Sequence, residues 1–490
     1  MTDRSFQDRG RIRRVSVAAL LPGSQFIACD DVEATGVQDE AARCRPGDVF
    51  VARVTARGDG HDAVAQALAR GASAVIAERM VPTDGIGLCL VPDSGFALAR
   101  LAQALAGEPS QGMRVIAVAG TSGKTTTAWL TAAVLAEAGL RVGVLSDLGC
   151  LSADDAMPVS ADYARPATLA AWLARFADDA CSHAIVEVSS EMLAAWTLAG
   201  VRYDTVVVTN LAPVRLGRHG TGRAYLDICR RAVEGLAPGG CLVTGLDAVG
   251  RKPLLRRAAP GTTCLTAGLA ADCDAWASPV EGSLWGRTFL LGCGGQRVPV
   301  AVDTPVVPFV RDAVLAAAVG ARYGVPLAQA ARGLESAGAV PGRVERIDCG
   351  QSAAVFVDVP STGHALAATL GSLRRLTPGR LAVVAEERLA RRLGRAVFRR
   401  QVARWCEDCE LVPDSILDEA ADDRTLASYA RVDALLSGLG RGDCLLVAGG
   451  MRRRSGPGTP AGRFPLATLV QGWLRLAHPA VSTGRRRPAA

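Results

Sequence analysis

Apolar positions in this chain fall into two patterns, short continuous runs and runs broken every third or fourth residue, and the two alternate along most of the length. Residues 48–52, with Val49, Phe50 and Val51 adjacent, predict a buried strand; 61–71 predict an amphipathic helix closed by Gly71, and 74–77 the next strand. A polar break at 107–112 predicts a linker. Beyond it, 115–119 predict a strand that runs through a glycine-containing loop into a helix from Lys124 to Ala138, with further strands at 142–145, 184–188 and 205–209. Strands this apolar, separated by helical spacing, predict a parallel sheet covered on both faces. A helix near 329–336 closes this block, and runs at 354–357, 381–384 and 444–448 predict the strands of a third, smaller unit. The fold class is α/β.

The chain has 490 residues, more than one hydrophobic core supports, and at roughly 150 residues per domain it predicts about three. The expected boundaries are 1–110, 111–339 and 340–490. With 49% hydrophobic and 21% charged residues, nothing in the composition suggests disorder. The net charge of +7 is mild for this length, and arginine runs at 452–454 and 485–487 read as solvated surface, so no nucleic-acid partner is expected. Most of the 14 cysteines are scattered, several within apolar segments (Cys241, Cys264, Cys444), as small hydrophobes are in a reducing compartment. Cys406 and Cys409 form a C-x-x-C without a second pair or a neighbouring histidine, which argues against zinc or redox chemistry. Residues 1–14 are polar and lack the apolar stretch of a secretory signal, and no apolar run reaches the length of about 18 residues that a membrane span needs. A cytoplasmic monomer without a membrane partner is expected.

Chemistry enters at Gly120, Thr121, Ser122, Gly123, Lys124, Thr125 and Thr126. A strand that ends in such a turn and feeds a helix aims several backbone N–H groups at one point, where the helix dipole also favours negative charge. Gly120 and Gly123 let the backbone close around an anion, Lys124 reaches outer phosphates, and the Thr125 hydroxyl is placed to ligate Mg²⁺. The first glycine of the general phosphate-loop signature is absent, since Val118 stands there.

This loop resembles the ATP loop of the Mur ligases, which also lacks that glycine. Residues 45–52, followed by Asp59, Gly60, His61 and Asp62 and by Arg70, Gly71 and Ala72, are similar to the uridine-nucleotide domain of the subgroup that adds the third peptide residue. Glu187, Val188, Ser189 and Ser190 resemble that subgroup's central acidic motif; Thr209, Asn210 and Leu211, with His219, Gly220 and Thr221, match the segment downstream; and 341–345 resemble the start of its C-terminal domain. The resemblance implies a three-domain architecture: an N-terminal α/β nucleotide-sugar domain, a central ATP-binding parallel sheet and a C-terminal Rossmann-like domain. It implies ATP and Mg²⁺ as cofactors, with a UDP-muramoyl-peptide and an amino acid as the other substrates. A carboxylate would attack the γ-phosphate of ATP, and an amine would then attack the acyl-phosphate. Lys124, Glu187, Arg215 and His219 are the implied catalytic residues, Thr125 and Glu187 the metal ligands, and Asn210 and Arg343 further nucleotide contacts. Ser189 and Ser190 read equally as substrate contacts or as a helix cap.

Several positions depart from the family pattern. Val214 and Arg215 stand where the family has Asp-His, and counting from Tyr225 places Cys229 where a carbamylated lysine helps to hold a second ion. Either Arg215 supplies the charge of that ion, as a guanidinium can by pairing with phosphate, or the centre has decayed. Asp39, Glu40 and Ala41 replace Asp-Ser-Arg, and an extra carboxylate would oppose a diphosphate; Ala164, Arg165 and Pro166 replace Thr-Thr-Pro. The run 358–364, the charged helical stretch 386–392, the segment 413–415 and 449–452 likewise differ from the family's C-terminal motifs, so the amino acid stays unassigned. An ATP-dependent amide ligase of cell-wall precursors is the leading expectation. A nucleotide-binding homologue without catalysis, acting through partners, is the alternative, and a phosphate-loop ATPase of unrelated fold would require the N-terminal likeness to be accidental.

Overall fold

The computed structural model describes residues 13–55, 58–155, 157–212, 220–246, 248–414, 423–450 and 465–477. Three sheets carry the fold. The first holds β1 (Gln25–Ile27), β2 (Gly36–Gln38), β3 (Asp48–Val51), β4 (Ala74–Ala77) and β5 (Gly87–Leu90) in the order β1-β5-β4-β3-β2. β2 to β5 run parallel and β1 antiparallel, so four strand ends meet at one edge. The expected helix at 61–71 begins as a 3-10 turn (Gly60–Ala63), continues as Val64–Ala69, and is followed by Gly71 at φ +92. The expected linker at 107–112 is packed: Pro109 and Ser110 are buried, and the Ser110 hydroxyl accepts from Arg202 N at 3.1 Å.

The middle sheet opens with β6 (Arg114–Ala119), whose Val115, Ile116, Ala117 and Val118 are all buried because a parallel strand faces helices on both sides. It feeds α1 (Lys124–Glu137), after which come β7 (Val142–Ser146) and its antiparallel edge partner β8 (Gly149–Leu151). Helix α2 (Pro166–Asp178) leads to β9 (His183–Glu187), then β10 (Tyr203–Val208), β11 (Leu236–Thr244) and β12 (Thr263–Gly268). The pattern of apolar residues predicts nothing for 275–302. There β13 (Ala275–Ser283), β14 (Gly286–Cys293) and β15 (Gln296–Val302) extend the sheet, the last two joining in antiparallel. In β13 the four successive positions 278–281, Pro279 and Val280 among them, are exposed, so that strand lacks the alternation that would have marked it. The full order is β8-β7-β9-β6-β10-β11-β12-β13-β14-β15. Since β6 lies between β9 and β10, which both follow it in sequence, a crevice opens at its carboxyl end.

The third sheet has β16 (Arg343–Ile347), β17 (Ala354–Asp358), β18 (Leu381–Glu386), β19 (Asp408–Val412) and β20 (Cys444–Ala448) in the order β16-β17-β20-β18-β19. The charged stretch after β18 is a helix, Glu387–Leu393, as its spacing predicts. One buried cluster runs from Val134 and Phe309 of the middle unit to Phe356 and Leu366 of the third, while Ala170 of α2 joins the core of the first. Burial pushes the Cys406 thiol up to about 12, so it is not a thiolate at neutral pH. Among the described residues no helix is long and apolar enough to cross a membrane.

Candidate active site

The loop after β6 is held by the end of β10. The Asn210 amide accepts from Ser122 N at 3.2 Å and donates to Ser122 O at 2.9 Å, while the Thr209 hydroxyl donates to Ser122 O at 2.6 Å. Asn210 O accepts from Thr121 N at 3.0 Å. Such a lattice fixes the loop before any ligand arrives, so its free N–H groups need little reorganisation to meet an anion. Gly120 and Gly123 are required by space as well as by φ (+141 and +81): a Cβ on Gly120 would lie 2.1 Å from Thr209 Oγ1, and one on Gly123 2.4 Å from Asp312 Oδ1.

A cavity of about 1070 Å³ opens over this loop, between the middle and third units. Ser122, Gly123, Lys124, Thr125 and Thr126 line it, as do Glu187, Asn210 and Arg343. Gly120 and Thr121 do not: the Thr121 hydroxyl is buried beneath, accepting from Ala212 N at 3.0 Å and from the Tyr225 hydroxyl at 3.1 Å. Those two expected nucleotide contacts therefore shape the loop from behind. Asn210 likewise commits its side-chain amide to Ser122.

Glu187 ends β9, one strand over from the loop, paired in register with Val118. Its carboxylate is 2% exposed, accepts from the Thr125 hydroxyl at 3.1 Å and from Asp147 N at 3.0 Å. Burial, and then the charge of Asp147, push Glu187 above the usual carboxylate range, against the pull of Lys124 and Arg343. Arg343 enters from the third unit, donating to Thr125 Oγ1 at 3.0 Å and to Val359 O at 3.3 Å. Ser189 is a helix cap, accepting from Met192 N at 3.2 Å, and the Ser190 hydroxyl donates to Glu191 at 3.2 Å. Cys229 is buried in contact with Tyr225, and burial raises its thiol. Arg215 and His219 lie outside the described residues, as does Val214.

Sequence reasoning does not single out Asp147, Asp312 or Tyr225 as site residues. Asp147 directly follows a buried strand, which was a usable signal; Asp312 is a carboxyl in the otherwise apolar face of the helix Val307–Arg322, 7% exposed, and burial holds it well above the ordinary range. Tyr225 gave no signal, because its hydroxyl bears on the loop from beneath, by donating to Thr121.

The family described as the Mur ligase middle domain matches residues 118–320. The chain is 32% identical over 446 residues to the UDP-N-acetylmuramoyl-L-alanyl-D-glutamate–2,6-diaminopimelate ligase of Chlorobaculum tepidum, covering 85% of this chain and 87% of that one. The chain belongs to the Mur ligase family. It is also 33% identical to the UDP-N-acetylmuramyl-tripeptide synthetase of Deinococcus radiodurans over 76% of both chains. Among solved structures, a UDP-N-acetylmuramoyl-L-alanyl-D-glutamate–2,6-diaminopimelate ligase superposes with a TM-score of 0.67 at 20% identity, over 95% of this chain and all of that one. MurF ligase from Thermotoga maritima in complex with ADP gives 0.62 at 18%, covering 90% and 98%. At these identities the superpositions speak for the fold, a Mur ligase architecture of three α/β units. Mur ligases are ATP-dependent enzymes that form C–N bonds and use Mg²⁺, which is the enzyme class and cofactor set of this ligase.

Proposed function

We propose that this Mur ligase joins an amine to the carboxyl group of a UDP-N-acetylmuramoyl-peptide or a related cell-wall precursor, with the nucleotide held on Ser122–Thr126. The single observation that carries this reading is the loop, fixed by Asn210 and Thr209, opening into a cavity shared with Arg343 of the third unit. The substrate expectation draws on the activities of the Chlorobaculum and Deinococcus relatives named above.

The residues fit a magnesium ion. A buried carboxylate whose charge is disfavoured by burial and by Asp147, joined to a hydroxyl at 3.1 Å, is the hard-oxygen set such an ion takes, and its arrival would favour the ionised form. Thr125 and Glu187 would hold it, and it would supply charge neutralisation to the phosphates. Among the described residues no three His, Cys, Asp or Glu side chains gather as a metal cluster. Lys124 carries the fixed positive charge of the loop, and Arg343 brings a second one from across the cavity, so closure of the third unit on the middle one aligns acid and nucleotide. The acid's carboxylate oxygen bonds to the γ-phosphorus as the bond to ADP breaks. The amine nitrogen then bonds to the acyl carbon, phosphate leaves, and the amine gives up a proton. Arg215 and His219 belong to this proposal from sequence alone, as phosphate partners. The first sheet, at its carboxyl-end edge, takes the uridine-nucleotide part.

The test is phosphate release from ATP and Mg²⁺ with UDP-N-acetylmuramoyl-L-alanyl-D-glutamate and a panel of amino acids. Release that needs both acid and amine is expected. ATP binding without release under any combination would instead favour a nucleotide-binding homologue that acts through partners.

A further inference from the structure

Two departures from the family pattern meet in space. Asp39 follows β2 and Glu40 directly precedes the short turn Ala41–Arg43, both at the edge of the first sheet where its parallel strands end. Arg165 is the N-cap residue of α2 in the middle unit, and Ala164 O, one residue earlier, accepts from the Thr197 hydroxyl at 3.2 Å. The Arg165 guanidinium spans the two units: Nη1 donates to Glu40 Oε1 at 2.8 Å and Nη2 to Asp39 Oδ1 at 3.2 Å. The other oxygen of each carboxylate is engaged too, Asp39 by Arg53 at 3.0 Å and Glu40 by Arg43 at 2.8 Å. The outcome is one chain, Arg53–Asp39–Arg165–Glu40–Arg43, of three guanidiniums and two carboxylates.

In α/β sheets ligands lie beyond the carboxyl ends of the strands. An acid carrying a uridine diphosphate at this edge would face two carboxylates, which without Arg165 would have only the cations of their own unit. We infer that Arg165 is a positioning residue for the acid substrate: it neutralises Asp39 and Glu40 so that a diphosphate can approach the first sheet, and acts through them rather than by gripping the ligand. This rests on the functional reading above for the identity of the acid. Its physical basis is the half-buried setting of the chain, with Asp39, Glu40 and Arg165 side chains 20%, 29% and 25% exposed, where water screens charge less than at an open surface.

The experiment is calorimetric binding of UDP-N-acetylmuramoyl-L-alanyl-D-glutamate to the full chain as wild type, Arg165→Ala, Arg165→Lys and the triple variant Arg165→Ala, Asp39→Asn, Glu40→Gln, with ATP binding and thermal midpoint read on each. Arg165→Ala should raise Kd about tenfold, Arg165→Lys less, and the triple variant should return to within about twofold of wild type. A triple variant as weak as Arg165→Ala would mean that Arg165 contacts the ligand itself, and would overturn the inference. So would an unchanged Kd beside a lowered midpoint, which is a purely structural role. A wild type without affinity for this acid also overturns it; amine-dependent turnover with another acid would then show that ligase function survives its failure.

Discussion

The phosphate loop and the edge of the first sheet are both strand ends dressed with charged side chains, but they are held together differently. At the loop, the groups that shape the backbone are close neighbours, Thr209 and Asn210 just past the end of the adjacent strand β10, and their side chains hydrogen-bond the loop's backbone at Ser122. At the first sheet, charge balance depends on Arg165, a residue of another unit. Hence changes to the loop's own residues should be poorly tolerated, whereas at the edge changes made in matched sets should be tolerated. A pocket for an invariant triphosphate can be rigid and local. A surface for the acid substrate can drift, provided that the compensating charge drifts with it.

Several substitutions break or sharpen this contrast. The largest effect is expected from Lys124→Ala, which removes the loop's fixed cation and should weaken ATP binding by roughly 100-fold in calorimetry. No second-site change elsewhere should restore it, unlike the rescue expected at Arg165. Glu187→Gln keeps the shape but not the charge, and should lower kcat by about 100-fold with Mg²⁺ saturation shifted to higher concentration. Gly123→Ala places a Cβ against Asp312 at a φ of +81, and should cost about 1–3 kcal/mol in denaturant unfolding along with nucleotide affinity.

Asp312→Asn gives a pH signature. Because burial raises the folded-state value of Asp312, its neutral form contributes stability that is complete below the unfolded value and is lost as pH rises through the folded one. Asparagine has no such loss, so the variant should be the more stable at pH 7 to 8 by about 1 kcal/mol, a gain that vanishes towards about pH 4. The smallest effect is expected from Tyr225→Phe, which removes one hydrogen bond beneath Thr121 and should cost about 1 kcal/mol in the same unfolding assay.

What sequence reveals follows the same division. β6, the loop, α1 and Glu187 are legible because each is a contiguous pattern whose physics is local: a buried run, two glycines, a carboxylate at a strand end. Asp147 and Asp312 escape notice because their roles arise from packing between elements, Asp147 N on Glu187 and the Asp312 carboxyl against Gly123. Asp39, Glu40 and Arg165 each stand out as a departure, yet read singly they suggest lost binding. Only their meeting across 126 positions of chain turns them into a compensated set. Strand β13 stays hidden for another reason, since its four successive exposed positions 278–281 leave no inside-outside alternation to read.

In the proposed reaction ATP activates a carboxyl group. Turnover with UDP-N-acetylmuramoyl-L-alanyl-D-glutamate carrying ¹⁸O in its terminal carboxyl groups, followed by mass spectrometry of the phosphate released, tests this at the reacting atoms. One ¹⁸O in each phosphate formed from fully labelled acid is the predicted result, because the attacking oxygen departs with phosphorus. Phosphate that takes its oxygen from water alone, with the acid left fully labelled, would contradict it.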